Sequence, residues 1–147
     1  GVRFEYLRYP AKFKNVQKNI QKAKDMGFNI SVTPTISSIN VWYVPEFMPW
    51  LVKTFGSRIW SQFVDLPLHY NISHLPQQAK DKVIKKLSKE KFSKFLNPII
   101  DKLSEDKETI DFMPHVKNMD QRRNNSFSAT FDEWSEIYAD SMYRQPK

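Results

Sequence analysis

Between Phe28 and Trp50 the chain reads FNISVTPTISSINVWYVPEFMPW, and this stretch narrows the choice of fold more than any other. It opens at Gly27-Phe28, with a short apolar–polar alternation through Ile30, Val32 and Thr33 that predicts a strand. A polar loop, Thr35-Ile36-Ser37-Ser38-Ile39-Asn40, follows, and Pro45-Glu46 then marks a helix start. The order is strand, polar loop, helix. In α/β proteins ligands gather outside the carboxyl ends of strands, which makes this loop the first place to look for function.

The flanking segments fit the same wiring. From Lys12 to Met26 the apolar residues Phe13, Val16, Ile20, Ala23 and Met26 recur at three or four positions, one face of a helix. Gly27 accepts a left-handed backbone and is a natural stop. Pro34 cannot donate to a ladder, so the strand Phe28–Thr35 must end there, bulge or lie at an edge. A helix over Val44 to Phe55 is predicted to bury Phe47, Trp50, Leu51 and Phe55 and to end at Gly56. A second strand is predicted over Gln62 to Leu66, and a helix over Gln77 to Lys91 that buries Ala79, Val83, Ile84 and Leu87. Helix, strand, helix, strand, helix, with a strand missing before Gly1, is βα wiring. The expected fold class is therefore α/β: a partial (β/α) barrel of parallel strands with flanking helices over residues 1–92.

Beyond Phe92 the strand signals vanish, and residues 93–147 are expected to form a helical C-terminal extension. Phe95, Leu96, Ile99, Ile100 and Leu103 give one helical stripe, restarted at Asn97-Pro98. A second helix is predicted over Thr109 to Met119, with Pro114 as a kink or break. After the polar knots at Asp120 and Asn124 comes an acidic and aromatic helix from Asp132 to Met142.

Composition removes several classes of function. The 147 residues are 40% hydrophobic and 14% aromatic, a globular balance sufficient for one core. The only glycines are Gly1, Gly27 and Gly56, too dispersed for a phosphate cradle. There is no cysteine, hence neither a disulfide framework nor a thiolate-held cluster within these residues. His69, His74 and His115 lack metal-ligand spacing, and no serine sits in a Gly-x-Ser-x-Gly turn. No apolar run approaches the roughly 18 to 20 residues that span a bilayer, and no signal-peptide core opens the chain, so a cytoplasmic protein without membrane contact is expected. The net charge of +7 is concentrated in Lys80 to Lys94, which reads either as a solvated helix face or as a patch for an acidic partner. The chain begins in mid-pattern without Met, as a fragment would.

Three segments carry a resemblance to a known family. GVRFEYLRYPAKFKNVQKNI is similar to the segment after the fourth barrel strand of radical S-adenosylmethionine enzymes of the SPASM/twitch type, in which a Ser-x-Asp-Gly ending is followed by a Glu-Tyr-x-Arg turn and a helix. Gly1 stands at the Gly of that ending. ISVTPTISSINVWYVPEFMPWL resembles the fifth strand, its polar loop ending in Asn and the following helix. MDQRRNNSFSATFDEW resembles the family's tail, Asp-x-x-Arg, then Phe, then a Phe-Pro-Glu-like close, with Asp132 where the pattern has Pro.

The resemblance implies a C-terminal portion of such an enzyme, contributing barrel wall and part of the cofactor surface and inactive alone. The full enzyme would cleave S-adenosylmethionine at a 4Fe–4S cluster to make a 5′-deoxyadenosyl radical. The cluster's three-cysteine motif would lie in a missing N-terminal part, since this chain holds none of its ligands. Arg8 is implied as the cation for the cofactor's carboxylate, Asn40 and Ser37 as partners of its methionyl or ribose part, and Leu66 as a contact for adenine. Other readings stand beside these: Asn40 as a turn former or helix cap, Arg8 paired with Glu5, and Leu66 as core. The substrate is left open between a peptide and a small molecule. The competing function is a basic module without catalysis that binds an acidic partner or single-stranded nucleic acid, with Tyr9, Trp42, Tyr43 and Trp60 as stacking surfaces. Nucleic acid is disfavoured because those aromatics lie mainly on faces expected to be buried.

Overall fold

The computed structural model describes residues 1–144. The strand–helix–strand unit centred on Phe28–Trp50 is present, in miniature. β1 (Thr35–Ile36) lies parallel to β2 (Gln62–Phe63), Thr35 opposite Gln62 and Ile36 opposite Phe63, and a single bridge joins Val32 to Ile59. The crossover helix α3 (Val44–Phe55) has the predicted bounds and ends at Gly56, where φ is +62°. Four backbone bonds fix the register: Val32 N–H to Arg58, Trp60 N–H to Val32, Gln62 N–H to Pro34 and Val64 N–H to Ile36, at 3.0 to 3.1 Å. Because the Pro34 carbonyl accepts from β2, its ring nitrogen faces the same neighbour and offers no donor there. The ladder is interrupted at that point. The strands expected over Phe28–Thr35 and Gln62–Leu66 shrink accordingly to two residues each and one bridge.

The expected partial (β/α) barrel is not what forms. Helix makes up 62% of the described residues and strand 4%, with one two-stranded sheet among them, so the fold is predominantly helical. Two strands cannot make a wall, and the apolar stripes of the helices find one another instead. α4 (Gln77–Leu87) packs on α5 (Ser93–Leu103) and on α8 (Asp132–Tyr143). Ala79, Val83 and Leu87 are buried as predicted, while Ile84 is only partly so. α6 (Met113–Arg123) starts four residues later than expected because Pro114 sits in its first turn, where the missing amide costs nothing, and it does not kink the helix. Asn124 closes α6 with φ +52°. The short α7 (Phe127–Thr130) is capped by the Ser126 hydroxyl, which accepts from the Ala129 amide.

The tail fills the core. Phe112, Val116, Phe127, Phe131, Trp134 and Tyr138 are at most 1% exposed, and they join Ile36, Val41, Val44 and Met48 in one cluster. Buried residues on either side of position 92 thus share a single core. α1 (Val2–Leu7) is pinned to the tail by Tyr6, whose hydroxyl donates to Asp120 at 2.6 Å. Asp120 also accepts from the Phe127 amide, and Arg123 donates to the Tyr6 carbonyl. The two residues singled out in the tail motif therefore hold α1, α6 and α7 together. α2 (Phe13–Asp25) differs from the other long helices: its apolar face is only partly covered, and none of its residues is buried.

Candidate functional site

The site builds outward from the loop after β1. A helical turn begins at Ser37, whose carbonyl accepts from the amides of Asn40 and Val41, and it runs through a 3-10 turn (Val41–Tyr43) into α3. Asn40 gives the loop its shape. Its Oδ1 accepts from the Ser37 amide at 2.8 Å, and its Nδ2 donates to the Thr35 carbonyl at 2.9 Å. Both ends of the amide are thereby spent within the loop, and Asn40 is a turn former that holds the end of β1 closed. Replacing it with alanine strands a carbonyl and an amide together, and is expected to cost about 1–2 kcal/mol in urea unfolding.

Ser37 is 8% exposed, and its hydroxyl oxygen accepts from the Ile39 amide at 3.3 Å. Ser38 ties three segments together: its amide donates to the Tyr70 carbonyl, and its own carbonyl accepts from the Trp134 indole at 2.8 Å. Leu66 follows β2 and is 76% exposed, so the plain-core reading of it fails. Asn40 and Leu66 consequently lie just past the carboxyl ends of adjacent parallel strands, which is the end at which α/β units bind ligands. Arg8 follows α1 as an exposed residue, and Glu5 pairs with Lys12 instead of with it. The cation that α1 brings to this region is Arg3. Its guanidinium lies 3.7 Å from the centre of the Tyr43 ring and donates to Glu46 at 2.9 Å.

Two further residues escaped the sequence reading. Lys86, within the lysine run expected to be either a solvated face or an acidic-partner patch, packs its Nζ 4.1 Å from the centre of the Trp42 ring and donates to the Trp42 carbonyl. Burial lowers its pKa, although Glu46 and Glu133 work in the opposite direction. Its position one residue before buried Leu87 was the available signal, because a long stem there can lie along the core while its head finds a carbonyl. Trp134 stacks on Trp42 with centroids 5.8 Å apart, and its backbone amide donates to the Tyr43 hydroxyl. A tryptophan in an acidic first helical turn gives no hint in sequence of a partner about ninety residues away.

With Asn40 spent internally and no cysteine present, these residues do not themselves supply a complete side-chain set for S-adenosylmethionine, nor any ligand for a cluster. Elsewhere His69 and His115 stack with centroids 3.5 Å apart, a parallel arrangement that does not converge on one ion. Among the described residues no group of three or more His, Asp or Glu side chains is placed to hold a metal, and no helix is long and apolar enough to cross a membrane. No family model matches the chain, and neither a curated protein nor a solved structure is significantly similar to it.

Proposed function

We propose that the chain is the C-terminal portion of a cytoplasmic radical S-adenosylmethionine enzyme, and that it contributes part of the cofactor surface at the carboxyl ends of β1 and β2. One observation carries the reading: Asn40 and Leu66 lie just past the carboxyl ends of adjacent parallel strands joined by α3. In this role Asn40 and Ser37 shape the loop and exposed Leu66 is free to touch adenine, while Arg8, the expected partner of the carboxylate, is exposed after α1. The incomplete cover of α2, and the exposure of Ser31 and Thr33 in the segment that leads into β1, fit an additional part of the parent chain lying there. That part would hold the 4Fe–4S cluster, and the substrate, a peptide or a small molecule, would be chosen outside these residues.

The test begins with the parent reading frame. It is expected to encode Cys-x-x-x-Cys-x-x-Cys upstream; a complete frame without that motif removes the reading. With the cluster reconstituted, the parent is expected to form 5′-deoxyadenosine, and Arg8→Ala and Leu66→Asp each to weaken S-adenosylmethionine binding about tenfold.

A specific observation favours a second reading, capture of an acidic protein. Lys82, Lys85, Lys89, Lys91 and Lys94 are exposed and join no ion pair among the described residues. Trp42 and Tyr43 are 8% and 3% exposed, which takes two of the four stacking surfaces away from a nucleic-acid platform. Affinity for an acidic polypeptide that falls steeply with salt, and falls further in Lys82→Glu/Lys85→Glu, is the expected result.

A further inference from the structure

Residues 66–75 carry the 3-10 turn (Leu68–Tyr70) that meets the β1 loop, and they are fastened unevenly. The far end is set in the core. Ile72 and Leu75 are buried, the His74 carbonyl accepts from the Ile110 amide, and His74 Nδ1 lies 2.7 Å from the Glu108 carbonyl. At the near end Leu66, Pro67 and Leu68 are exposed and Tyr70 is only partly buried. Here the Tyr70 carbonyl accepts from the Ser38 amide at 2.9 Å, and the His69 ring lies on that of His115 in α6.

The two imidazoles are 3.5 Å apart between centroids and 2° from parallel, so they touch face to face. Neutral rings tolerate that contact, but two protonated rings would hold like charges at contact distance. No carboxylate offsets them, since neither imidazole joins an ion pair among the described residues. On the neighbouring elements Asp65 pairs with Lys102, Asp111 is taken by Tyr138 and Tyr143, and Asp120 by Tyr6 and the Phe127 amide. Glu108 lies at the His74 end. From α6, Lys117 and Arg123 bring only further positive charge, toward Asp111 and Tyr70. Burial and the charge of His115 accordingly hold the His69 pKa below the ordinary histidine value. His74 answers acid differently. Its Nδ1 faces a carbonyl, which can only accept, so that bond requires a proton on Nδ1 and survives protonation of the ring.

We propose that the His69–His115 stack is an acid-released latch on the β1 loop: closed at neutral pH, it parts when both rings are charged, swings the Leu66–Tyr70 turn away from α6 about the His74 end, and frees the Ser38 amide. The closed pair binds fewer protons than the open one. Its hold is therefore complete above the ordinary histidine value of about 6.5 and weakens below it, by up to about tenfold per pH unit. The latch adjoins the proposed cofactor surface and does not depend on what that surface binds.

Hydrogen exchange on the 147-residue chain, expressed as protection relative to the intrinsic rate at each pH, tests the latch. Protection of the Ser38 amide is expected to fall about tenfold from pH 7 to pH 5, while the Ile110 amide keeps its own. His115 is exposed, and His115→Phe leaves an aromatic face for His69 while removing the second charge. In that variant Ser38 protection is expected to stay constant over the same range, and the His69 ring protons to titrate at higher pH than in the wild type. Constant Ser38 protection in the wild type overturns the proposal, as does a fall that persists in His115→Phe. A parallel fall at Ile110 overturns it too, because the whole segment would then be loosening. So does a His69 midpoint common to both proteins, since the rings would not sense each other.

Discussion

Replacing Trp134 with alanine is expected to destabilise the chain by about 3–5 kcal/mol, the range for a large aromatic removed from a filled core. The side chain is fully buried, and its loss is not only a cavity. The indole N–H to Ser38 carbonyl bond disappears, which leaves that carbonyl buried and unpaired at the end of β1. The stacked partner Trp42 loses its aromatic neighbour, while Lys86 still lies over its ring. Domains of this size are stable by only about 5–15 kcal/mol, so a large share of the unfolding free energy rests on this residue. Trp134→Phe separates the contributions, because it restores most of the volume without the donor. It is expected to cost about 1–3 kcal/mol and to lower the urea midpoint without changing the slope. A loss below 1 kcal/mol for Trp134→Ala would mean that α8 does not hold the loop.

The dependence on Trp134 also explains which parts of the fold were legible in sequence. The bounds of α3 were legible to the residue, because Pro45, Glu46 and Gly56 mark its ends chemically, but its stripe was not: Met48 is buried, whereas Phe47 and Trp50 are only partly so. α2 and the final helix were placed within one or two residues for the same reason. Parallel pairing of the two strand segments was legible from the crossover helix between them, since a helix of that length returns the chain to the same end of a sheet. Strand length was not, because Pro34 removes a donor from the side that pairs, and only the register reveals which side that is. The barrel was a wrong extrapolation from a correct unit. The sequence contains two strand segments, and everything else apolar was already committed to helices that pack on each other.

The candidate site divides in a similar way. Loop position and its polar character could be read directly, and the loop does follow a parallel strand. The inward turn of Asn40 could not, because an amide that closes its own loop and one that waits for a ligand have the same sequence signature. Arg8 and Arg3 lie five residues apart on or beside one short helix, and only packing decides which of them reaches Tyr43. Long-range pairs such as Tyr6 with Asp120 and Trp134 with Ser38 join residues roughly a hundred positions apart and leave no local periodicity to find.

Stability is expected to fall in acid through Asp111, and Asp111→Ala to cost about 2–3 kcal/mol at neutral pH. This carboxylate precedes α6 and gathers three donors: the Tyr138 hydroxyl at 2.7 Å, the Met113 amide at 3.0 Å and the Tyr143 hydroxyl. Tyr138 is fully buried, and its oxygen in turn accepts from the Phe112 amide, so removing Asp111 leaves a buried hydroxyl proton without an acceptor. Burial works against the charge on Asp111. The hydrogen bonds from Tyr143, Met113 and Tyr138, with Lys117 nearby, outweigh it and hold the pKa below the ordinary aspartate value. A carboxylate whose folded pKa is depressed binds its proton more readily in the unfolded chain. Its contribution is therefore complete above the unfolded value of about 4 and is lost as pH falls through the lower folded value. Asp111→Asn keeps the shape and removes the titration, so the gap in unfolding free energy between wild type and this variant is expected to narrow between about pH 5 and pH 2. Parallel curves over that window would show that Asp111 gains nothing from its three donors. Tyr138→Phe supplies the complementary check: combined with Asp111→Ala it is expected to cost clearly less than the sum of the two, because the second change removes the hydroxyl that the first left stranded.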